Sequence, residues 1–106
     1  MEEKIKISIL LNLYGNLLTE TQRKYMDLYY NQDLSLSEVG DNEKITRQAV
    51  RTILLKSKKK LYGYEEQLKF MQKETEIKYL INKLNETELD EKQTKLIEKI
   101  DNQLDY

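Results

Sequence analysis

The sequence predicts an all-α protein, a helix-turn-helix bundle followed by a C-terminal helical extension. Its 106 residues include no proline and three glycines, and 35% of them are charged, a composition that favours helices over strands. Apolar residues recur at helical spacing along most of the chain. Because a chain of this length builds one small core, we expect a helix-turn-helix domain over residues 1–62 and the extension over residues 63–106.

A short helix, a tight turn and a longer helix are predicted between Leu34 and Leu61. Ser35 and Glu38 form a capping-box pattern that starts the first helix, and Thr46 can cap the second helix. Such a helix pair closes on itself when five positions are apolar. These positions are Val39, Glu43, Ile45, Val50 and Ile53, of which the glutamate departs from the pattern.

The backbone geometry of the turn restricts which residues fit at two positions. Gly40 occupies the place where the two helices approach most closely and where a small side chain is needed. Lys44 occupies the turn position that prefers Gly or Asn because its φ is positive. The sequence therefore predicts close helix contact at Gly40 and a left-handed backbone at Lys44.

The second helix has an apolar face that must contact the core. At 100° per residue, this inner face carries Val50, Ile53, Leu54, Ser57 and Leu61. The opposite face and its shoulders carry Arg47, Gln48, Arg51, Thr52, Leu55, Lys56 and Lys59. Arg and Gln can make paired hydrogen bonds to base edges in the major groove, which admits a helix of this size.

The side chains on the outer face of the second helix therefore predict that this face binds nucleic acid. We expect base contacts from Gln48, Arg51 and Thr52. Phosphate contacts are expected from the remaining basic side chains, Arg47, Lys56 and Lys59.

Charge is distributed unevenly along the chain. Residues 44–64 contain seven basic residues and no acidic one, whereas the remainder carries 11 basic and 19 acidic residues. A basic peak that coincides with the proposed recognition helix favours binding to a polyanion. The run from Lys58 to Lys60 has an alternative explanation, because lysines late in a helix also favour its negative C-terminal end and often form a solvated face.

Two helices are predicted before the central motif. Glu2 to Tyr14 carries two apolar stripes, whereas a surface helix needs one. This helix is therefore expected to pack on the helix-turn-helix core and on either the C-terminal helices or a second chain; the alternative is a helix that lies fully buried within one subunit. Thr19 and Gln22 form a second capping box, so residues 20–30 should be helical. Their inner face is Met26 and Tyr29 with Tyr25 beside them, and we interpret these tyrosines as core and boundary packing rather than as a platform for nucleobases.

The extension should contain two amphipathic helices. Gly63 is a candidate hinge or helix end, and residues 65–84 return to a helical pattern. Asn85 and Glu88 have the spacing of a further cap, before a last helix that reaches Leu104. We expect the two helices to form an antiparallel pair or to be arms that embrace another subunit.

Composition argues against an enzyme, a metal site and a cofactor. The chain has no cysteine and no histidine, which removes disulfides, thiolate or imidazole metal sites and Ser–His nucleophile systems. Its glycines are isolated, so there is no phosphate-binding loop. The apolar runs are far shorter than the roughly 18 residues that span a bilayer, and the N-terminus lacks a signal-peptide pattern. We therefore expect a cytoplasmic protein without a membrane partner.

The segment LLTETQRKYMDLYYNQDLSLSEVG, followed by ITRQAV, resembles the YlxM-like family of small bacterial helix-turn-helix proteins, and more distantly region 4 of sigma factors. The resemblance covers roughly residues 1–70. It implies a small all-helical protein, a nucleic-acid-binding helix-turn-helix and a link to the signal recognition particle pathway. That link rests on the position of the family's genes beside those for the particle's GTPases.

Departures from the family pattern leave two functions open. Arg51 stands where the family often has Tyr, Ile53 where Asn is common and Leu55 where Lys is common. The first function is a DNA-binding regulator, expected to be a homodimer because such helices usually bind two half-sites. The second is an adaptor that docks on protein or RNA of the signal recognition particle, with Leu55 as a partner contact.

Overall fold

The computed structural model describes residues 1–105, and within that range it is helical and contains no strand. The six α-helices are α1 (Glu3–Tyr14), α2 (Glu20–Met26), α3 (Leu36–Glu43), α4 (Arg47–Leu68), α5 (Phe70–Asn85) and α6 (Glu91–Asp101). A 3-10 turn (Gly15–Leu17) follows α1, and a π-helical turn (Asp27–Asn31) continues α2. The predicted all-α class is confirmed.

The chain divides into two compact units at the end of α4. Residues 1–68 form the helix-turn-helix unit, and the C-terminal unit begins at Lys69, whose φ of 59° is left-handed. This boundary lies later than the one predicted after residue 62. The prediction that Gly63 ends a helix is wrong, because α4 continues through it; its alternative role as a hinge stays a prediction.

Side chains on either side of Gly63 explain why the helix continues. The ammonium of Lys6 lies 5.1 Å from the centre of the Tyr62 ring, and the Tyr64 hydroxyl donates to the carbonyl of Leu17 at 3.3 Å. A glycine within a helix costs only about 1 kcal/mol relative to alanine, which contacts of this kind can offset.

The core of the helix-turn-helix unit lies between α1, the α2 segment and α4. Its largest fully buried side chains include Ile7, Leu10, Tyr14, Met26 and Leu61. On α1 the stripe of Ile7, Leu11 and Tyr14 is buried, and Ile9 of the second stripe is buried with it. Ile5 of that second stripe is exposed. The surplus of apolar residues on α1 is therefore used largely within this unit.

The α2 segment begins as predicted and ends differently. Thr19 and Gln22 form the expected capping box. Its last turn is π-helical, because the amide of Gln32 donates to the carbonyl of Asp27 at 3.0 Å and the Asp27 carboxylate accepts from Gln32 Nε2 at 2.8 Å. Within this segment Tyr25, Met26 and Leu28 are buried, whereas Tyr29 is only half-buried.

The C-terminal unit is an antiparallel helix pair. Lys78 on α5 and Asp101 on α6 form an ion pair at 2.7 Å, and the amide of Asp105 donates to the carboxylate of Glu74. Asn85 is the last residue of α5 and not a cap. Asp90 caps α6 instead, in a capping box with Gln93.

Candidate nucleic-acid interface

The capping box that starts α3 fixes its orientation. The Ser35 hydroxyl accepts from the amide of Glu38 at 3.1 Å, and the Glu38 carboxylate accepts from the amide of Ser35 at 2.9 Å. The hydrogen bond from the Ser35 amide, followed by the Ser35 side chain, favours the ionised carboxylate and holds the pKa of Glu38 below its ordinary value. The sequence predicted both partners.

The turn between α3 and α4 is tight enough to require a glycine. A Cβ placed on Gly40 would lie 2.8 Å from the backbone oxygen of Ile45. The amide of Ile45 also donates to the carbonyl of Gly40 at 3.0 Å, which brings the two segments together. Lys44 has φ 58° and ψ 42°, the left-handed conformation, as predicted. A non-glycine residue there costs about 1 to 2 kcal/mol.

The glutamate at an otherwise apolar position is explained by a lysine on α2. Glu43 Oε1 lies 2.9 Å from the Lys24 ammonium, and the Glu43 side chain is only 16% exposed. The hydrogen bond to Glu43 and its charge raise the pKa of Lys24. The ion pair therefore joins α2 to the end of α3 where other sequences would use apolar contact.

The inner face of α4 lies where the periodicity predicts it. Val50, Leu54, Ser57 and Leu61 are buried, and Ile53 is partly buried. The fully buried Ser57 is satisfied within the helix, because its hydroxyl donates to the carbonyl of Ile53 at 2.7 Å. Thr46 caps the helix by accepting from the amide of Ala49 at 3.0 Å. These contacts fix which side of α4 faces outward.

The outer face of α4 is exposed over its whole predicted extent. All of the residues expected to contact nucleic acid are exposed: Arg47, Gln48, Arg51, Thr52, Lys56 and Lys59. Leu55 is 48% exposed among them. The Thr52 hydroxyl donates to the carbonyl of Gln48 at 3.1 Å, so its oxygen and its methyl group are left for external contacts. The structure thus brings the predicted residues to one side of one helix.

Two lysines of the run from Lys58 to Lys60 contact other helices rather than the outer face of α4. Lys58 pairs with Glu3 of α1 at 3.1 Å, and this hydrogen bond raises its pKa. Lys60 donates to the side chain of Gln22 on α2 at 3.2 Å. Of the run, only Lys59 therefore belongs to the outer face.

A cleft of about 220 Å³ adjoins the outer face. Leu36 on α3 lines it together with Arg51, Leu55 and Lys58 of α4. The sequence pattern did not single out Leu36, because the first turn of α3 gives no signal of what lies beside it. Two leucines on different helices thus line a cleft of mixed polarity beside the basic surface.

Residues 1–105 have the features of neither a metal site nor a membrane-spanning helix. No group of three or more acidic side chains there is arranged to hold a metal ion. None of the helices combines the length and the apolar character that crossing a lipid bilayer requires.

Comparison with known proteins identifies the family of this chain. Residues 1–102 match the model of the UPF0122 family, described as "Putative helix-turn-helix protein, YlxM / p13 like". A UPF0122 protein of Clostridium kluyveri is 49% identical over 77 residues, which cover 73% of this chain and 69% of that protein. One of Clostridium botulinum is 44% identical over 87 residues (81% and 80%), and one of Mycoplasma capricolum is 40% identical over 93 residues (88% and 82%). The chain belongs to the UPF0122 family of YlxM- and p13-like helix-turn-helix proteins.

Proposed function

We propose that this protein is a regulator that binds double-stranded DNA through the outer face of α4. The observation that carries the proposal is the orientation of α4, whose apolar side is buried while its exposed side presents Arg47, Arg51, Lys56 and Lys59. No acidic residue occurs between Lys44 and Tyr64 to repel a phosphate backbone. A helix held in this way can enter the major groove.

The chemistry of the side chains divides the interface into two parts. Gln48 and Arg51 carry the amide and guanidinium groups that form paired hydrogen bonds with adenine and guanine edges. Thr52 supplies a hydroxyl oxygen and a methyl group beside them. The phosphate contacts fall to the other three basic residues of the face, Arg47, Lys56 and Lys59.

Recognition of a palindromic site would need two copies of the chain. Helix-turn-helix proteins place two recognition helices one helical turn of DNA apart, which they achieve as dimers. We therefore propose a cytoplasmic homodimer in which the helix-turn-helix unit of each copy contacts one half-site.

Selection of binding sites from random duplexes at two ionic strengths tests the proposal. The full chain should enrich a sequence, and its affinity should fall steeply with salt because each phosphate contact releases counterions. Arg51→Ala should flatten the sequence preference by removing a base contact worth about 1 to 3 kcal/mol. Affinity that never exceeds that for random duplex at low salt would contradict the proposal.

Two neighbouring lysines provide a matched control for the phosphate contacts. Lys59→Ala should weaken binding to every duplex alike and reduce the salt slope by about one. Lys60→Ala removes the same charge from the adjacent residue, but Lys60 is directed to Gln22 on α2. It should therefore leave the salt slope nearly unchanged. Equal effects of the two substitutions would show that only overall charge matters.

A second candidate function is an adaptor that docks on protein or RNA of the signal recognition particle. Leu55 supports it, because this exposed leucine lines the same cleft as Leu36 and offers an apolar contact that phosphate groups do not use. Leu55→Glu should abolish recovery of the particle's GTPase or RNA in a pull-down with the full chain. Recovery of DNA alone by the unaltered protein would contradict this function.

A further inference from the structure

The C-terminal unit has a surface of large apolar side chains that its two helices leave uncovered. On α5 these are Ile77 (37% exposed), Leu80 (58%) and Leu84 (45%), and on α6 they are Leu96 (51%) and Ile100 (48%). We call these five residues the apolar face. Ile81 and Ile97, which lie between the two helices, are the buried apolar residues of this unit among those the structure describes.

Helical geometry puts all five residues on the same side of the antiparallel pair. At 100° per residue, Ile77, Leu80 and Leu84 fall on one side of the buried Ile81. Leu96 and Ile100 fall on the corresponding side of Ile97. The opposite side is polar, since it carries the ion pair between Lys78 and Asp101 and the hydrogen bond from Asp105 to Glu74. The apolar face is therefore continuous across both helices.

A continuous apolar surface of this kind needs a partner. Soluble monomers rarely expose a contiguous apolar patch larger than a few hundred Å² unless it is a site of interaction. Two helices whose buried apolar residues are Ile81 and Ile97 also have little core of their own, and helix stability in proteins comes mainly from burial of an apolar face. Two such pairs stacked on their apolar faces form a four-helix bundle with a complete core.

The charge of the apolar face favours a second copy of the same chain as the partner. In a two-fold interface the same patch contacts itself, so a charged patch would repel its copy. Here the charged residue in line with the face is Lys73, one turn before Ile77, and α6 contributes the neutral Gln93. A nucleic acid would require a row of cations, which the face lacks.

We propose that the apolar face is the surface through which two copies of this protein dimerise. The inference rests on α5 and α6 and stands without DNA binding. It also supplies the two-fold pairing that the proposed function needs, and it assigns that pairing to the extension rather than to the helix-turn-helix unit.

Sedimentation velocity of the full chain, from about 1 to about 100 µM, tests the inference. The unaltered protein should sediment as a species of twice the chain mass of 12.8 kDa, with a thermal midpoint that rises with protein concentration. Leu80→Glu should raise the dimer dissociation constant by at least about 100-fold, because a two-fold interface buries the new charge twice. Ile100→Glu should do the same from α6.

Leu55→Glu is the matched control. It introduces the same charge at a leucine of similar exposure, 48%, but on α4. That variant should remain dimeric. A monomer at all concentrations for the unaltered protein, a dimer that survives both Leu80→Glu and Ile100→Glu, or loss of the dimer in Leu55→Glu would overturn the inference.

The outcomes separate this inference from the proposed function. A dimer that is lost in Leu80→Glu but never binds duplex DNA would support the dimerisation surface and refute the DNA-binding role. Conversely, a protein that binds DNA as a monomer would refute the dimerisation surface and the homodimer of the proposed function, but not the DNA contact made by α4. Far-ultraviolet circular dichroism of each variant shows whether its helices are intact.

Discussion

The two units of this protein are built from the same kind of helix but differ in how their apolar side chains are used. In the helix-turn-helix unit, residues such as Met26, Val39 and Leu61 are fully buried, and the exposed side of α4 is polar and basic. In the C-terminal unit most large apolar residues remain exposed, with Leu80 at 58%. The first unit completes its own core and leaves a charged surface free, whereas the second lacks a core and offers an apolar surface.

The largest expected effect comes from the loss of a core side chain in the helix-turn-helix unit, the unit with a closed core. Leu61→Ala removes a fully buried side chain of α4 and should lower the free energy of unfolding by about 3 kcal/mol. Leu17→Ala removes a leucine that is 53% exposed in the same unit and should lower it by less than about 0.5 kcal/mol. Urea unfolding followed by tyrosine fluorescence measures both. Equal losses would mean that the helix-turn-helix unit has no closed core at Leu61.

Two glycines of the helix-turn-helix unit should respond to alanine in opposite directions. Gly40→Ala places a Cβ 2.8 Å from the Ile45 carbonyl and should destabilise the unit by about 2 kcal/mol. At Gly63 a Cβ meets nothing within 4 Å, so Gly63→Ala should stabilise α4 by about 0.5 to 1 kcal/mol. Thermal unfolding of the pair tests this prediction. Destabilisation by Gly63→Ala would contradict a continuous helix through that residue.

One left-handed lysine lies in the turn between α3 and α4, and another is the first residue of the C-terminal unit. Lys44 and Lys69 have φ of 58° and 59°. Lys44→Gly should raise the stability of the helix-turn-helix unit by about 1 kcal/mol, because glycine adopts this conformation without the Cβ penalty. Lys69→Gly lies after α4 and should leave that unit's unfolding transition unchanged. A stability change from Lys69→Gly as large as that from Lys44→Gly would show that the unit extends beyond Leu68.

The smallest expected effect is a difference in pH response between two capping boxes. Glu38 caps α3 with a carboxylate whose pKa is lowered by its hydrogen bonds to Ser35, whereas Gln22 caps α2 with a neutral amide. A lowered folded-state pKa contributes stability above the unfolded value near 4.5 and loses it as pH falls through the folded value. The stability difference between the unaltered protein and Glu38→Gln should therefore shrink below about pH 4.5. Parallel stability curves down to pH 3 would contradict this.

Local rules predicted the start of α3 and α4 and the faces of α4. The caps at Ser35 and Thr46 involve residues only three positions apart, so the local sequence is enough to predict them. The burial of Val50, Leu54 and Leu61 follows from helical periodicity alone. The strict need for a small residue at Gly40 likewise follows from the spacing of a known turn.

Tertiary contacts decided the features that the sequence did not predict. The ion pair between Glu43 and Lys24 joins residues on different helices, and no local pattern links them. The π-helical turn that begins at Asp27 is accompanied by hydrogen bonds from the side chains of Asn31 and Gln32 to the Asp27 carboxylate, which no apolar periodicity predicts. Likewise, the contacts of Tyr62 with Lys6 and of Tyr64 with Leu17 stabilise α4 on both sides of Gly63.

The candidate interface was predicted better than its surroundings. Periodicity placed Arg51 and Lys59 on the outer face, because one buried stripe fixes the opposite side of a helix. It did not separate Lys59 from its neighbours, since the pairing of Lys58 with Glu3 depends on where α1 lies. Leu36 was not predicted either, because its position beside Leu55 depends on how α3 and α4 pack.

Mapping of backbone amide signals by nuclear magnetic resonance, on titration with a selected duplex, tests the central claim most directly. If the outer face of α4 binds DNA, the perturbed signals should cluster at residues 47–59 and weaken with added salt. Residues 70–101 of the C-terminal unit should be unaffected by the duplex. Perturbations confined to that unit, or none at low salt, would contradict the assignment of α4 as the recognition helix.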